Sequence, residues 1–363
     1  MEHISSTSDY LPVLSQLLRK TLLFTQRATT DGRLSYRRGD CTGGNSTRMP
    51  QRRTPRQVTH YSYRKIKILG RGGEGICWLC ERESDKKRIV MKTYDRWVEH
   101  DGRPLELFIL LYIIPNHPRI NYCDGWAVLP DKQFEAYYDY CKGGDLSSFM
   151  VRHERCHESF IWHVFMQIAD ALALLRESSL STFVRTDLIK KFADYGYRRD
   201  HPNLIGPHWQ RVVHRDVKPP NIFLATKYVS GGAFPSLVLG DFGIATLQST
   251  SSSGTGTPSW QGPEWPTITA KTDIWGLGAI IHALAHGHSP QRPVPRGEGR
   301  RAWERNPRSK NPQPLTSTYS RELSHVMMRC LALRPDDRIN SKDLVTRLVR
   351  DRAIWNGRHR GRH

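Results

Sequence analysis

Eight consecutive residues, His214-Arg215-Asp216-Val217-Lys218-Pro219-Pro220-Asn221, put a carboxylate, an ammonium and an amide side by side. Asp241-Phe242-Gly243 adds a second carboxylate further along. An acid so placed can take a proton from a hydroxyl. The oxygens of Asn and Asp suit Mg²⁺, a hard cation that binds through few protein ligands. A lysine between them can sit beside a transferring phosphoryl group.

A second constellation lies upstream, Gly70-Arg71-Gly72-Gly73-Glu74-Gly75. Glycines let backbone N–H groups approach phosphate oxygens with no Cβ in the way. A dinucleotide-binding turn of this spacing leads into a helix and needs an acid about twenty residues on. Here a strand pattern follows, and that position holds Val90. The next strand ends in Ile89-Val90-Met91-Lys92. Cys77 and Cys80 form a C-x-x-C, but no second Cys/His pair stands at zinc-finger distance, so zinc is not expected.

These groups need elements to hold them. Runs at 63–69, 76–83 and 88–94 read as strands, the last two joined through Ser84-Asp85-Lys86-Lys87. Residues 105–114 fit a helix ended by Pro115, and strands follow near 122–129 and 134–140. Beyond Gly143-Gly144 the pattern turns helical. Ile161, Val164, Phe165, Ile168, Leu172 and Leu175 give helix spacing over 160–177. Short strands at 222–224 and 237–239 flank a Gly231-Gly232 turn, and helices are expected over 272–285, 322–333 and 342–350. Residues 178–211 and the Pro- and Arg-rich 286–318 read as insertions, the latter irregular. The class is α+β, with a strand-rich lobe of one helix, a glycine joint and a helix-rich lobe. A cleft between two such lobes is a natural ligand site.

Composition sets the frame. A chain of 363 residues can fill two lobes. Residues 1–60 are rich in Ser, Thr, Arg and Gly without periodicity and read as mostly disordered. No apolar run reaches the roughly 18 residues a spanning helix needs. The net charge of +20 sits largely in Arg-rich tails, among them the C-terminal 351–363. Weak attraction to polyanions follows, but no nucleic-acid motif accompanies it. Seven irregularly spaced cysteines and no signal pattern point to a reducing, intracellular setting, cytoplasmic or nuclear.

From residue 63 to 349 the ordered motifs resemble a eukaryotic protein kinase domain of serine/threonine type, with some likeness to the NIMA-related group. The resemblance implies a bilobal kinase fold over 61–350, with an N-lobe at 61–140 and a C-lobe at 145–350. It implies ATP and Mg²⁺. In that frame Gly70, Gly72 and Gly75 line the phosphates, and Cys77 and Val90 cover the adenine. Lys92 contacts the phosphates, held by Glu106. The Asp139 carbonyl and Cys141 amide pair with adenine beside a bulky gatekeeper, Tyr138, while Asp145 accepts from the ribose.

Asp216 accepts the substrate proton, Lys218 neutralises the γ-phosphoryl, and Asn221 and Asp241 hold the metal. His214 packs on Phe242, while Glu264, Arg338 and Asp273 are structural. Lysine two residues after Asp216 is the serine/threonine pattern. The implied partners are proteins bearing Ser or Thr, and either an activating kinase or autophosphorylation in the Ser/Thr run 249–257, which Arg215 would sense. Cys77, Val90, Tyr138 and Gly262 depart from the usual residues and keep an alternative open, a pseudokinase scaffold.

Overall fold

The computed structural model describes residues 56–57, 63–95, 99–100, 102–114, 117–129, 133–153, 155–176, 210–228, 234–247, 250–251 and 255–359. The chain divides after Arg52, and every described element lies in the unit Arg53–His363. Nearly all of the stretch read as disordered, the insertion at 178–209 and the Gly231-Gly232 turn lie outside the described residues.

The N-lobe is a six-stranded sheet in the order β1-β7-β8-β4-β3-β2. Its strands are β1 (Arg56–Gln57), β2 (Tyr63–Arg71), β3 (Gly75–Arg82), β4 (Arg88–Tyr94), β7 (Cys123–Val128) and β8 (Phe134–Asp139). A two-stranded hairpin, β5 (Glu99–His100) and β6 (Arg103–Pro104), separates β4 from the helix. β1 pairs in parallel with β7, so Arg56 and Gln57 are extended and paired. The open edge of β7 supplies the hydrogen-bonding groups that pair them.

The turn at 84–87 is closed by Lys86 in the left-handed region, φ 58°. Alternation buries Cys80, Ile89, Met91, Ala127 and Tyr137 as one core cluster. The expected helix is split: α1 (Leu105–Phe108) passes into a π-helical turn, Ile109–Ile113. Such wider turns recur at functional sites.

Asp145 caps α2 (Leu146–Arg152), and α3 (Glu158–Arg176) follows. α3 is buried almost all round and packs on α4 (Ala270–His286), α7 (Ser341–His359) and the strand Pro235–Leu239. It is the one described helix long and apolar enough to cross a membrane, but most of that surface is covered by its own lobe. β9 (Ile222–Tyr228) and β10 (Pro235–Leu239) form an antiparallel hairpin. β11 (Thr250–Ser251) pairs with β12 (Ile268–Thr269), whose Thr269 begins a capping box on α4. The lobe closes with α5 (Arg300–Arg305), α6 (Arg321–Cys330) and α7. The two-lobe α+β architecture is the one the motifs imply.

Two segments differ from expectation. Region 286–318 is not wholly irregular: α5 buries Trp303, whose indole N–H donates to the Arg292 carbonyl at 3.1 Å. The C-terminal tail is helical as far as His359. Asp351, 1% exposed, accepts from Arg347 one turn earlier at 2.6 Å, and Trp355 is buried, so this part packs on the lobe. Arg358 then pairs with Glu322 of α6 at 2.6 Å.

Candidate active site

Sheet register assembles the upper half of the site. Cys77 lies between Gly70 and Lys92 on neighbouring strands, and Val90 between Leu79 and Tyr138. The Lys92 ammonium donates to Glu106 Oε2 at 2.6 Å, Glu74 Oε2 at 2.9 Å and Asp241 Oδ1 at 3.3 Å. Burial works against this charge, but Glu106, Asp241 and Glu74 outweigh it and hold the Lys92 pKa well above the ordinary value.

Glu106 is fixed from three sides. Besides Lys92, it accepts from the Tyr94 hydroxyl at 2.7 Å and the Phe242 amide at 3.2 Å. Tyr94 meets the hydroxyl of Tyr138 at 3.1 Å. Tyr138 thus takes part in the network behind the ion pair. Burial pushes the Cys77 thiol up to about 11, which suits an apolar wall rather than a reactive thiolate.

The lower half hangs on the β9–β10 hairpin. Leu239 faces Ile222 in its register, and the Gly240 amide donates to the Asn221 carbonyl at 3.0 Å. Asn221 and Asp241 are thereby brought to the same end of the hairpin. Asp241 takes φ 63° and Arg215 φ 72°, left-handed conformations costly for side-chain-bearing residues and typical of functional sites. Burial raises the Asp241 carboxyl, but Lys92, His214 and Lys218 prevail and leave it below its ordinary value.

Both carboxylate oxygens of Asp216 are engaged. Oδ1 accepts from the Thr257 amide at 3.1 Å and hydroxyl at 2.9 Å. Oδ2 accepts from Asn221 Nδ2 at 3.2 Å and pairs with Lys218 at 2.7 Å. Lys218 also donates to the Thr257 hydroxyl at 2.8 Å. Asp273 braces the loop from below, accepting from the His214 and Arg215 amides at 2.8 and 2.9 Å. The His214 ring stands edge-on to Phe242 at 4.7 Å and contacts the Gly240 carbonyl at 3.0 Å. Its Nδ1 faces the Asp216 amide at 3.3 Å. Arg215 donates to the Thr255 hydroxyl.

Asp145 uses both carboxylate oxygens on Ser148, at 2.8 and 2.9 Å, as a helix cap. A ribose would share those oxygens with the cap. Asp139 ends β8, with its side chain on Lys87 at 2.8 Å, and Cys141 lies two residues on in the connection. Glu264 and Arg338 form a two-point pair at 2.7 and 3.0 Å.

The residues fit a phosphate chain and a hard cation. At Gly70, Gly72 and Gly73 no protein atom lies within 4 Å of where a Cβ would stand, so packing within the chain does not demand glycine there. A backbone cradle for an external phosphate would. Asn221 commits Nδ2 to Asp216 and keeps Oδ1 as a ligand atom, which with Asp241 makes the oxygen donor set Mg²⁺ prefers. Three contributors escaped the sequence reading: Tyr94, Thr257 as a partner of Asp216, and Glu74. For Glu74 the signal was an acid inside a glycine-rich turn.

A family model described as "Protein kinase domain" matches residues 206–348. The G2-specific protein kinase nimA of Emericella nidulans is 27% identical over 304 residues, 78% of this chain and 40% of that protein. The human serine/threonine-protein kinase Nek2 is 28% identical over 319 residues, 83% of this chain and 63% of that protein. The serine/threonine-protein kinase ATG1a of Arabidopsis thaliana is 28% identical over 232 residues, 61% of this chain and 31% of that protein. The chain thus spans less than two thirds of the length of each of these relatives.

Proposed function

We propose that this chain, which carries a eukaryotic protein kinase domain of serine/threonine, NIMA-related type, transfers the γ-phosphoryl group of ATP to Ser and Thr hydroxyls of proteins. The observation that carries the reading is the joint placement of Lys92, Glu106, Asp216, Lys218, Asn221 and Asp241, drawn from both lobes. The kinase domain proposed here runs over 61–350. Free cysteines throughout the described residues accord with an intracellular setting.

Lys92 binds phosphate oxygens while Glu106 fixes its direction. Asp216 orients the substrate hydroxyl and takes its proton as the oxygen bonds to the γ-phosphorus and the bridge to the β-phosphate breaks. Lys218 offsets charge on the transferring group. Asn221 and Asp241 would hold Mg²⁺, which when bound neutralises phosphate charge. Thr257 holds Asp216 and Lys218 in register. Because the transition state is loose, most of the acceleration comes from positioning and fixed charge.

One observation favours a second reading, a nucleotide-binding scaffold without efficient transfer: Glu74 occupies the ammonium that phosphates would use. Purified full chain, Mg²⁺ or Mn²⁺, ATP and a generic basic protein separate the two. Phosphate on Ser or Thr of the acceptor supports the transferase, and its absence, with or without prior phosphorylation of the chain, supports the scaffold.

A further inference from the structure

Lys92 has three N–H donors, and each is directed at a carboxylate. A phosphate oxygen can bind this ammonium only by displacing one of them. Glu106 is 3% exposed and also held by Tyr94 and Phe242. Asp241 is, in the reading above, a metal ligand. Glu74 is different. Among the described residues its carboxylate has Lys92 as its one hydrogen-bonding partner, and it sits on the glycine-rich turn rather than in a packed element.

Glu74 also reaches across the cleft. Its carboxylate lies against Gly243 of Asp241-Phe242-Gly243, so closely that a Cβ on Gly243 would stand 1.9 Å from Oε2. The turn that carries it is pinned at one side, where the Asp95 amide donates to the Glu74 carbonyl at 2.8 Å. The side chain therefore spans from the N-lobe turn to the C-lobe metal-binding corner, over the space the phosphates need. Three carboxylates against one ammonium leave that space with excess negative charge.

We propose that Glu74 is a specificity-determining residue of the nucleotide site: a resident carboxylate that occupies the phosphate position on Lys92 and must leave before a phosphate chain can bind. The proposal rests on the nucleotide-binding part of the reading above. Its consequence is graded by ligand charge. Ligands with phosphates compete with Glu74 for Lys92 and meet its repulsion; a nucleoside without phosphates does neither. Divalent cation bound with the nucleotide offsets the repulsion, so the penalty is largest for the metal-free nucleotide.

The test is equilibrium binding by calorimetry to the full chain, wild type and Glu74→Gln, with adenosine, ADP and ATP, each in EDTA and in Mg²⁺. Glu74→Ser serves as a second variant, and thermal melts establish that all are folded. In EDTA the expected result is ATP binding about tenfold tighter in both variants, equal to about 1.4 kcal/mol. ADP should gain less, adenosine should not change, and the differences should shrink in Mg²⁺. Three results overturn the proposal: equal gains for adenosine, weaker ATP binding in the variants, or no change. A chain that gains ATP affinity in Glu74→Gln yet transfers no phosphate keeps this inference and loses the transferase reading. The converse outcome does the reverse.

Discussion

The carboxylate of Glu106 accepts from the backbone N–H of Phe242 at 3.2 Å, tying the helix of one lobe to the Asp241-Phe242-Gly243 corner of the other. Its second oxygen holds Lys92 at 2.6 Å. The ion pair is therefore a joint between lobes as well as a means of aiming a lysine.

Breaking that joint should cost activity far more than affinity. Glu106→Gln keeps an acceptor for Phe242 but removes the charge facing Lys92. Lys92→Met removes the donor itself. Each should lower kcat by about 10²-fold or more, the scale for losing one fixed donor at a developing charge. Steady-state transfer kinetics check this. Wild-type kcat in Lys92→Met would exclude the role given to that lysine.

Glu264 and Arg338 make a prediction about stability alone. Arg338 has a fully buried side chain, lies over Trp275 at 5.0 Å and holds Glu264 from two nitrogens. Arg338→Ala strands a nearly buried carboxylate and should cost about 3–5 kcal/mol. The paired change Glu264→Gln/Arg338→Met should cost less, since no charge is left alone. Urea unfolding of the three chains measures both. Equal losses in the single and double variants would show that the charge itself is not the issue.

Gly75 tests the glycine-rich turn from inside. Its φ is 155°, and a Cβ there would lie 1.8 Å from the Thr93 carbonyl oxygen, at the register where β3 meets β4. Gly75→Ala must push the strands apart, at a cost of about 1–3 kcal/mol, and should weaken ATP binding with it. Gly73→Ala, with nothing within 4 Å, should leave the melting temperature unchanged.

Buried histidines set an acid limit. Burial pulls His117, His163 and His282 down to about 4 from an ordinary value of 6.5. His163 also contacts the Pro235 carbonyl at 2.8 Å. With folded values depressed, the unfolded chain binds more protons between those limits. Stability is thus full above about 6.5 and lost as pH falls toward about 4. Melting temperature followed over that window should decline, and His163→Gln should make the decline shallower. A flat profile in the wild type would contradict the assignment.

Much of this arrangement was legible before the fold was seen, because strong periodicity and punctuation agreed. β4 spans the residues its pattern marked out, and α3 and α4 differ by a residue or two at their ends. The residues that escaped did so for physical reasons. α2 buries only Leu146, so its stripe is too thin to read, and its signal was the Asp145 cap. The last turns of α7 look like a solvated basic tail until Asp351 and Trp355 are seen to be buried. Tyr94 and Tyr138 meet because β4 lies beside β8, a register no local pattern states. Glu74 reads as a loop charge, and only the folded turn brings it onto Lys92.

The two carboxylate oxygens of Asp216 gather Thr257, Asn221 and Lys218. The direct measurement is transfer of labelled γ-phosphate from ATP to a basic protein by the full chain, with the labelled residue identified, in wild type and Asp216→Ala. Mg²⁺-dependent label on serine or threonine is expected in the wild type, abolished by EDTA and reduced by about 10³-fold or more in Asp216→Ala while ATP still binds. Equal labelling by both chains, or none by the wild type under Mg²⁺ and Mn²⁺, would contradict the role given to Asp216.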